Sequence, residues 1–402
     1  MLNRVLRGLL ALALFLALLP PAPAAAESAK VRQGVKQLSS RKYKNAMKSF
    51  RDALKANPRD SDAMFRIGDL HAAGLGVPRS DAEAVKWYLK AARLGQPTAR
   101  YEMAARYASG RGIGKDPSEA ATWCRMAADQ GHAGAQSLLG FLYEQGIGVP
   151  RDEAEARAWY RKAAESGDVA AQKMIAWEHL DGEGGPADPA AAASWYRQAA
   201  DAGEPDAQFR LAGMYRAGNG VERNDTEATA WYARSAHGGN AEAFAAYGRA
   251  LLYGLGVPQD DVAAVYWIRK AAQREVPEGI FLRGVLYAYG RGERNDEAEA
   301  LDLFRRAAEE GYADAQLQIA GMHLTGRGAP KSDNTAAVWY LRAAEGGNAD
   351  ARMMLGWMHE IGRGVPKDLD EAARWFALAA AQGNAAARDR LKYLETIQRK
   401  GR

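Results

Sequence analysis

The sequence predicts an all-α protein, an α/α superhelical solenoid of helical hairpins, and three observations carry that reading. A period of 36 residues runs without a gap from Ser61 to Asn384 and lays the chain out in nine rows. One column of those rows reads Trp87, Trp123, Trp159, Trp195, Trp231, Trp267, Leu303, Trp339 and Trp375, with Leu303 the single departure. Each row also carries two apolar stripes at helical spacing, parted by a Gly-x-Gly. A fixed repeat of this length belongs to units that bury their apolar side only by stacking on neighbours.

The elements follow in chain order. Arg4 and Arg7 precede an apolar run from Leu9 to Leu19, then Pro20 to Pro23 and Ala24-Ala25-Ala26. A basic start, an apolar run too short to span a bilayer and an Ala-x-Ala end describe a cleavable secretory signal over residues 1–26. No Cys follows it to accept a lipid, and no later stretch reaches about 18 uninterrupted apolar residues, so no stable membrane insertion is expected after cleavage. Residues 27–60 are expected to form an N-terminal capping hairpin. The rows then run 61–96, 97–132, 133–168, 169–204, 205–240, 241–276, 277–312, 313–348 and 349–384. Ala387 and Leu391 begin another first helix, so residues 385–402 are expected to close the far end as a capping helix with a basic tail.

Within a row, the first helix spans Ser61 to Ala73 in register, and the second carries Ala84, Trp87, Tyr88, Ala91 and Ala92 on one apolar face. Ser80, Asp116, Asp152, Asp188, Asn224, Asp260, Asp296, Ser332 and Asp368 hold the N-cap column of the second helix. Glu83, Glu119, Glu155, Glu227, Glu299 and Glu371 stand three places on, where a capping box needs them. Gly95 and its counterparts end the helix in the left-handed conformation, and Glu275 breaks that column. In the first helix, Gly68, Ala104, Gly140, Ala176, Ala212, Gly248, Gly284, Ala320 and Gly356 are always small. Gly costs a helix about 1 kcal/mol relative to Ala, which points to close approach by the Ala-Ala pair of the second helix. Glu275, Arg283 and Leu303 together predict a soft junction near residues 272–284.

The pattern Ala135, Leu139-Gly140, Tyr143, Gly146-x-Gly148-Val149, Asp152, Ala156, Trp159-Tyr160, Ala163-Ala164 and Gly167 closely resembles the Sel1-like repeat, a longer cousin of the tetratricopeptide repeat. The resemblance covers residues 61–384, and Tyr43, Ala46, Phe50, Ala53, Leu54 and Pro58 look like the second helix of an ordinary tetratricopeptide unit. It implies a tetratricopeptide-like solenoid whose first helices line a concave groove, acting as an adaptor in macromolecular complexes. Exported bacterial members of the family take part in envelope assembly, polysaccharide export and sensor-kinase regulation.

Several chemistries are set aside by the residues present. The net charge is only +5, two units of which leave with Arg4 and Arg7, so no concentrated basic face argues for nucleic acid. Cys124 is the only cysteine; it occupies a usually aromatic place and reads as a small buried hydrophobe. His71, His179, His323 and His359 share a column with Tyr107, Tyr143, Tyr215 and Tyr287, which indicates packing, so no metal and no cofactor is expected. Ser39-x-x-Lys42 and Ser332-Asp333-Asn334 match two of three motifs of penicillin-recognising enzymes, but the third is absent.

The groove geometry implied by the resemblance places Asp69, Ala105, Phe141, Trp177, Gly213, Arg249, Val285, Gly321 and Trp357 in one irregular, groove-facing column. Phe141, Trp177, Arg249 and Trp357, with Tyr253 and Tyr289 from another groove column, are the candidate binding residues. The competing reading is that Trp177 and Trp357 fill gaps between helices. The expected function is an exported, non-catalytic scaffold that binds a protein or an extended polymer chain, in the periplasm first and secreted second. A protein is the first expected partner, an exopolysaccharide or cell-wall complex the second. Regulation of a membrane sensor kinase and a penicillin-binding or β-lactamase-like activity are the alternatives.

Overall fold

The structure, a computed structural model, describes residues 28–182 and 185–400. Among the described residues lie 21 α-helices and no strand. The expected signal over residues 1–26 lies outside them, and no described helix is long and apolar enough to cross a membrane. The chain divides into two compact units between Ala171 and Gln172.

The first unit opens with α1 (Ala29–Ser39) and α2 (Tyr43–Ala56), followed by the hairpins α3 (Ser61–Ala73) with α4 (Asp81–Arg93), α5 (Pro97–Ser109) with α6 (Pro117–Ala128) and α7 (Ala133–Gln145) with α8 (Glu153–Glu165). Helix α9 (Val169–Asp181) straddles the division. The second unit continues with α10 (Pro189–Asp201), then pairs α11 (Pro205–Ala217) with α12 (Asp225–His237), α13 (Ala241–Tyr253) with α14 (Asp261–Gln273), α15 (Pro277–Tyr289) with α16 (Glu297–Glu309), α17 (Ala313–Thr325) with α18 (Asp333–Glu345) and α19 (Ala349–Ile361) with α20 (Leu369–Ala381), and ends on α21 (Ala385–Lys400).

Row one shows how local chemistry sets these limits. Asp60 caps α3 by accepting from the Ala63 amide at 2.9 Å, and Gly74 stops it with φ of 69°. Ser80 caps α4, and Gly95 follows its end with φ of 92°. One backbone bond then locks the hairpin. The Ser80 amide donates to the His71 carbonyl at 2.9 Å, and the equivalent bond recurs in all nine rows at 2.7–3.0 Å. The His/Tyr column therefore shares a main-chain task, whatever its side chains do.

Successive rows meet where the loop of one crosses the preceding second helix. In the described loops the second glycine of the Gly-x-Gly lies against the first turn of that helix: a Cβ added to Gly148 would sit 2.0 Å from the Pro117 carbonyl oxygen, and one on Gly220 2.0 Å from that of Pro189. The middle residue of the loop reinforces the crossing wherever it is Arg and the structure describes it. Arg111 pairs with Asp81 at 2.8 Å, Arg291 with Asp261 at 2.5 Å, Arg327 with Glu297 at 2.8 Å and Arg363 with Asp333 at 2.9 Å.

Two expectations need correction. The small column of the first helix makes room for an aromatic or branched side chain, not for the Ala-Ala pair. A Cβ on Gly68 would lie 2.6 Å from the Tyr88 ring, on Gly284 2.6 Å from Phe304, and on Gly356 2.8 Å from Phe376. The capping-box glutamates turn outward. Glu119 and Glu155 accept from the indoles of Trp123 and Trp159 at 3.1 Å each, because the cap amides already donate to the Tyr107 and Tyr143 carbonyls. The tryptophans also divide: Trp159, Trp231 and Trp267 are buried, whereas Trp87, Trp123 and Trp339 are half-buried, each packing against two successive apolar clusters. Two of these rings are covered by a cation one turn on, Lys90 at 4.3 Å from Trp87 and Arg342 at 4.7 Å from Trp339.

The expected soft junction near residues 272–284 does not appear as thin packing. The region sits in the most extensive apolar cluster among the described residues, which includes Leu303, Phe281 and Phe304. Glu275 takes the missing glycine's conformation with φ of 55°, and its carboxylate pairs with Arg306 at 3.0 Å.

Two predictions follow from the backbone. Gly148→Ala is expected to destabilise the protein by about 2–4 kcal/mol, since the Cβ strikes main chain. Gly131→Ala, at φ of 82° with nothing within 4 Å, should lose only the left-handed penalty of about 1 kcal/mol; urea unfolding of the pair measures the difference. Replacing Glu275 by Gly removes a comparable penalty and an exposed ion pair worth about 0–1 kcal/mol, so Glu275→Gly is expected to unfold at the same temperature as wild type or higher.

Candidate binding face

Each first helix turns one side to its partner helix and leaves a stripe at i, i+7 and i+11. In row six these are Glu242, Arg249 and Tyr253, in row seven Glu278, Val285 and Tyr289, in row eight Asp314, Gly321 and Thr325. Tyr253 keeps 47% of its surface and Tyr289 57%. The Arg291 guanidinium lies 5.8 Å over the Tyr253 ring.

Side chains of rows five to eight converge along this stripe. Arg249 Nη1 is 2.8 Å from Glu278 Oε1, yet out of line for a hydrogen bond, so that buried oxygen has no donor. Burial raises the Glu278 carboxyl, with Arg216 opposing and Asp314 adding. Burial also pushes the Tyr312 hydroxyl far above its ordinary range, with Glu278, Asp314 and Tyr253 adding and Arg216 opposing. Arg216 belongs to row five and Tyr312 is the last residue of row seven; within this unit, rows two apart feel one another's charge. Tyr312 also packs against Phe281, ring centroids 5.1 Å apart.

The family model of the Sel1 repeat matches nine times, at residues 61–96, 97–132, 133–168, 169–204, 205–240, 241–275, 277–312, 313–348 and 349–384. The chain belongs to the Sel1 repeat family. Among solved structures it is similar to a protective antigen present in uropathogenic Escherichia coli strains, which displays the same fold, with 29% identity, a TM-score of 0.64, and coverage of 98% of this chain and 90% of that one. It is also similar to a Sel1 repeat protein from Oxalobacter formigenes, with 33% identity, a TM-score of 0.48, and coverage of 61% of this chain and 97% of that one. No curated protein matches. The Sel1 repeat is typically a non-catalytic scaffold, and its proteins generally bind other proteins.

Within this Sel1 repeat chain the candidate residues take different environments. Trp177 keeps 50% of its surface. Phe141 is half-buried in the first unit. Trp357 is half-buried between two apolar clusters, with Arg363 over its ring at 5.6 Å. Arg249 is engaged by Glu278. Arg216, Glu278, Tyr312 and Asp314 escaped the sequence reading; the first-turn acids Asp206, Glu242, Glu278, Asp314 and Asp350 form a column, but each looked like an ordinary helix-start charge.

The residues that raised catalytic or metal readings serve their own helices. Ser39 Oγ donates to the Val35 carbonyl at 3.0 Å, and Ser332 Oγ accepts from the Thr335 amide at 3.2 Å. His323 Nδ1 lies 3.0 Å from the Pro330 carbonyl oxygen. Cys124 is fully buried with Sγ 3.1 Å from the Ala135 carbonyl oxygen, and burial pushes its thiol well up.

In the first unit, Asp69 of the groove-facing column accepts from the Tyr88 hydroxyl at 2.9 Å. Although 30% of its side-chain surface reaches water, the surrounding protein pushes its carboxyl up to about 7, chiefly by burial; Glu102 adds, while Arg66, Tyr88 and Arg106 oppose. The folded state thus holds a proton that the unfolded chain releases near 3.8. Stability is highest below the unfolded value, falls as pH rises through the interval up to about 7, and levels off above it. Circular-dichroism melts of Asp69→Asn are expected to coincide with wild type near pH 4 and to lie higher at pH 8.

Proposed function

We propose that this Sel1 repeat protein is an exported scaffold of the bacterial envelope, holding a partner protein along its first helices. The observation that carries the reading is the exposure of Trp177, Tyr253 and Tyr289 on the first helices. Large aromatic side chains left half open to water are the anchors of protein interfaces. The periplasmic address rests on the basic, apolar and Ala-x-Ala succession in residues 1–26. Fusing residues 1–60 to an alkaline phosphatase reporter is expected to give an active, exported enzyme.

Crosslinking in cells followed by affinity purification identifies the partner. Trp177→Ala, and Tyr253→Ala combined with Tyr289→Ala, are each expected to weaken its binding at least tenfold, about 1.4 kcal/mol or more, with unchanged helical circular dichroism. Undiminished capture by both variants would remove the basis of the reading.

A further inference from the structure

Glycine is the poorest helix former after proline, and most mid-helix glycines here have a packing reason. Gly68, Gly140, Gly248, Gly284 and Gly356 each lie under a side chain that a Cβ would strike at 2.6–2.8 Å. Gly213 and Gly321 do not. A Cβ at either would meet nothing nearer than one hydroxyl at 3.9 Å, that of Tyr232 below Gly213 and that of Tyr340 below Gly321. Tyr232 and Tyr340 are 3% and 4% exposed, and neither hydroxyl has a hydrogen-bond partner among the described residues. Burial raises both phenols, so each stays protonated and able to donate.

Both recesses lie in the second unit, in the one column where other rows carry Arg249, Val285 or Trp357. Bare helix backbone above an unused donor is what close approach of another main chain requires. The charge along the stripe selects its sign. Glu242, Asp314 and Asp350 are exposed and have no cationic partner among the described residues; Asp314 and Asp350 accept only from the Asn348 and Asn384 amides. Arg249 is taken by Glu278, and Arg216 lies over the Tyr232 ring at 6.0 Å. The exposed rings of Tyr253 and Tyr289 offer faces to further cations.

We propose that the second unit holds an extended, positively charged segment of a partner protein. Its main chain crosses Gly213 and Gly321, where Tyr232 and Tyr340 donate to its carbonyls, and its Lys or Arg side chains meet Glu242, Asp314, Asp350 and the two exposed tyrosines. The inference rests on the scaffold reading and names the chemistry of its partner.

The test uses the full processed chain and two fluorescein-labelled, unstructured peptides of about 14 residues, a length spanning several rows when extended. One alternates Lys with Ser and Gly, the other Glu with Ser and Gly. The Lys peptide is expected to bind, more weakly as salt rises, and the Glu peptide at least tenfold more weakly. Gly213→Leu and Gly321→Leu fill the recesses without altering charge and should each lower affinity about tenfold or more while melting no lower than wild type. Tyr340→Phe removes only the hydroxyl and should lower affinity about fivefold; it decides the matter if a Leu variant fails to fold. Equal binding of the two peptides, no binding of the Lys peptide, or affinity indifferent to Gly321→Leu and Tyr340→Phe would overturn the proposal. A cellular partner that depends on Tyr253 and Tyr289 but ignores Gly321→Leu would leave the scaffold standing and this inference refuted.

Discussion

The constraint on which each unit depends is the crossing of the described Gly-x-Gly loops over the first turn of the preceding second helix. No side chain fits there: the second glycine presses its backbone onto carbonyls such as those of Pro117 and Pro189. That contact ties the spacing of the rows it joins to main-chain geometry, and so holds them to the 36-residue period. Where Arg occupies the middle of the loop, its pair with an acid at the start of the crossed helix adds a charge-assisted tie at the same place. Each hairpin is then closed by the bond from its second helix's cap amide back to the first helix, so a row is pinned both to itself and to its predecessor.

Such pinning leaves one face free. The inner sides of both helices are filled by small residues against aromatic ones, as Gly68 under Tyr88 and Gly284 under Phe304, and a change there disturbs close packing. Stripe positions on the first helices are mixed: Val285 is buried in the core, whereas Trp177, Tyr253 and Tyr289 stay about half open to water. They hold Trp177, Arg249, Tyr253, Val285, Gly321 and Tyr289 without loss of register. Variation along a rigid wall is how a repeat protein acquires a specific surface, and in the second unit it gathers acids, phenols and bare backbone into neighbouring rows.

Much of the architecture was legible because it is written in local chemistry. N-caps, left-handed glycines and apolar spacing each have a strong residue preference, and repetition multiplies a weak signal by nine. The errors came where a side chain had more than one neighbour to choose. Glu119 and Glu155 accept from indoles because the hairpin bond has already taken the cap amides, and the small column of the first helix receives a ring or a branched side chain in place of the Ala-Ala pair. The candidate face was legible only in part. Tyr253, Tyr289 and Trp177 stand out as aromatics off the packing columns, whereas Arg216, Glu278 and Asp314 come together only once rows are stacked.

The sequence by itself determined the helical hairpin, its limits, its period and its family, since those depend on interactions within about four residues and on their recurrence. Only tertiary structure decided which glycines are filled from above and which stand open. Gly213 and Gly356 occupy adjoining columns and look alike in the sequence, but a Cβ on Gly356 would strike a phenylalanine ring at 2.8 Å, whereas one on Gly213 would meet nothing nearer than a hydroxyl at 3.9 Å. That difference is set by side chains about twenty residues away, whose positions follow from helix packing and not from any local preference.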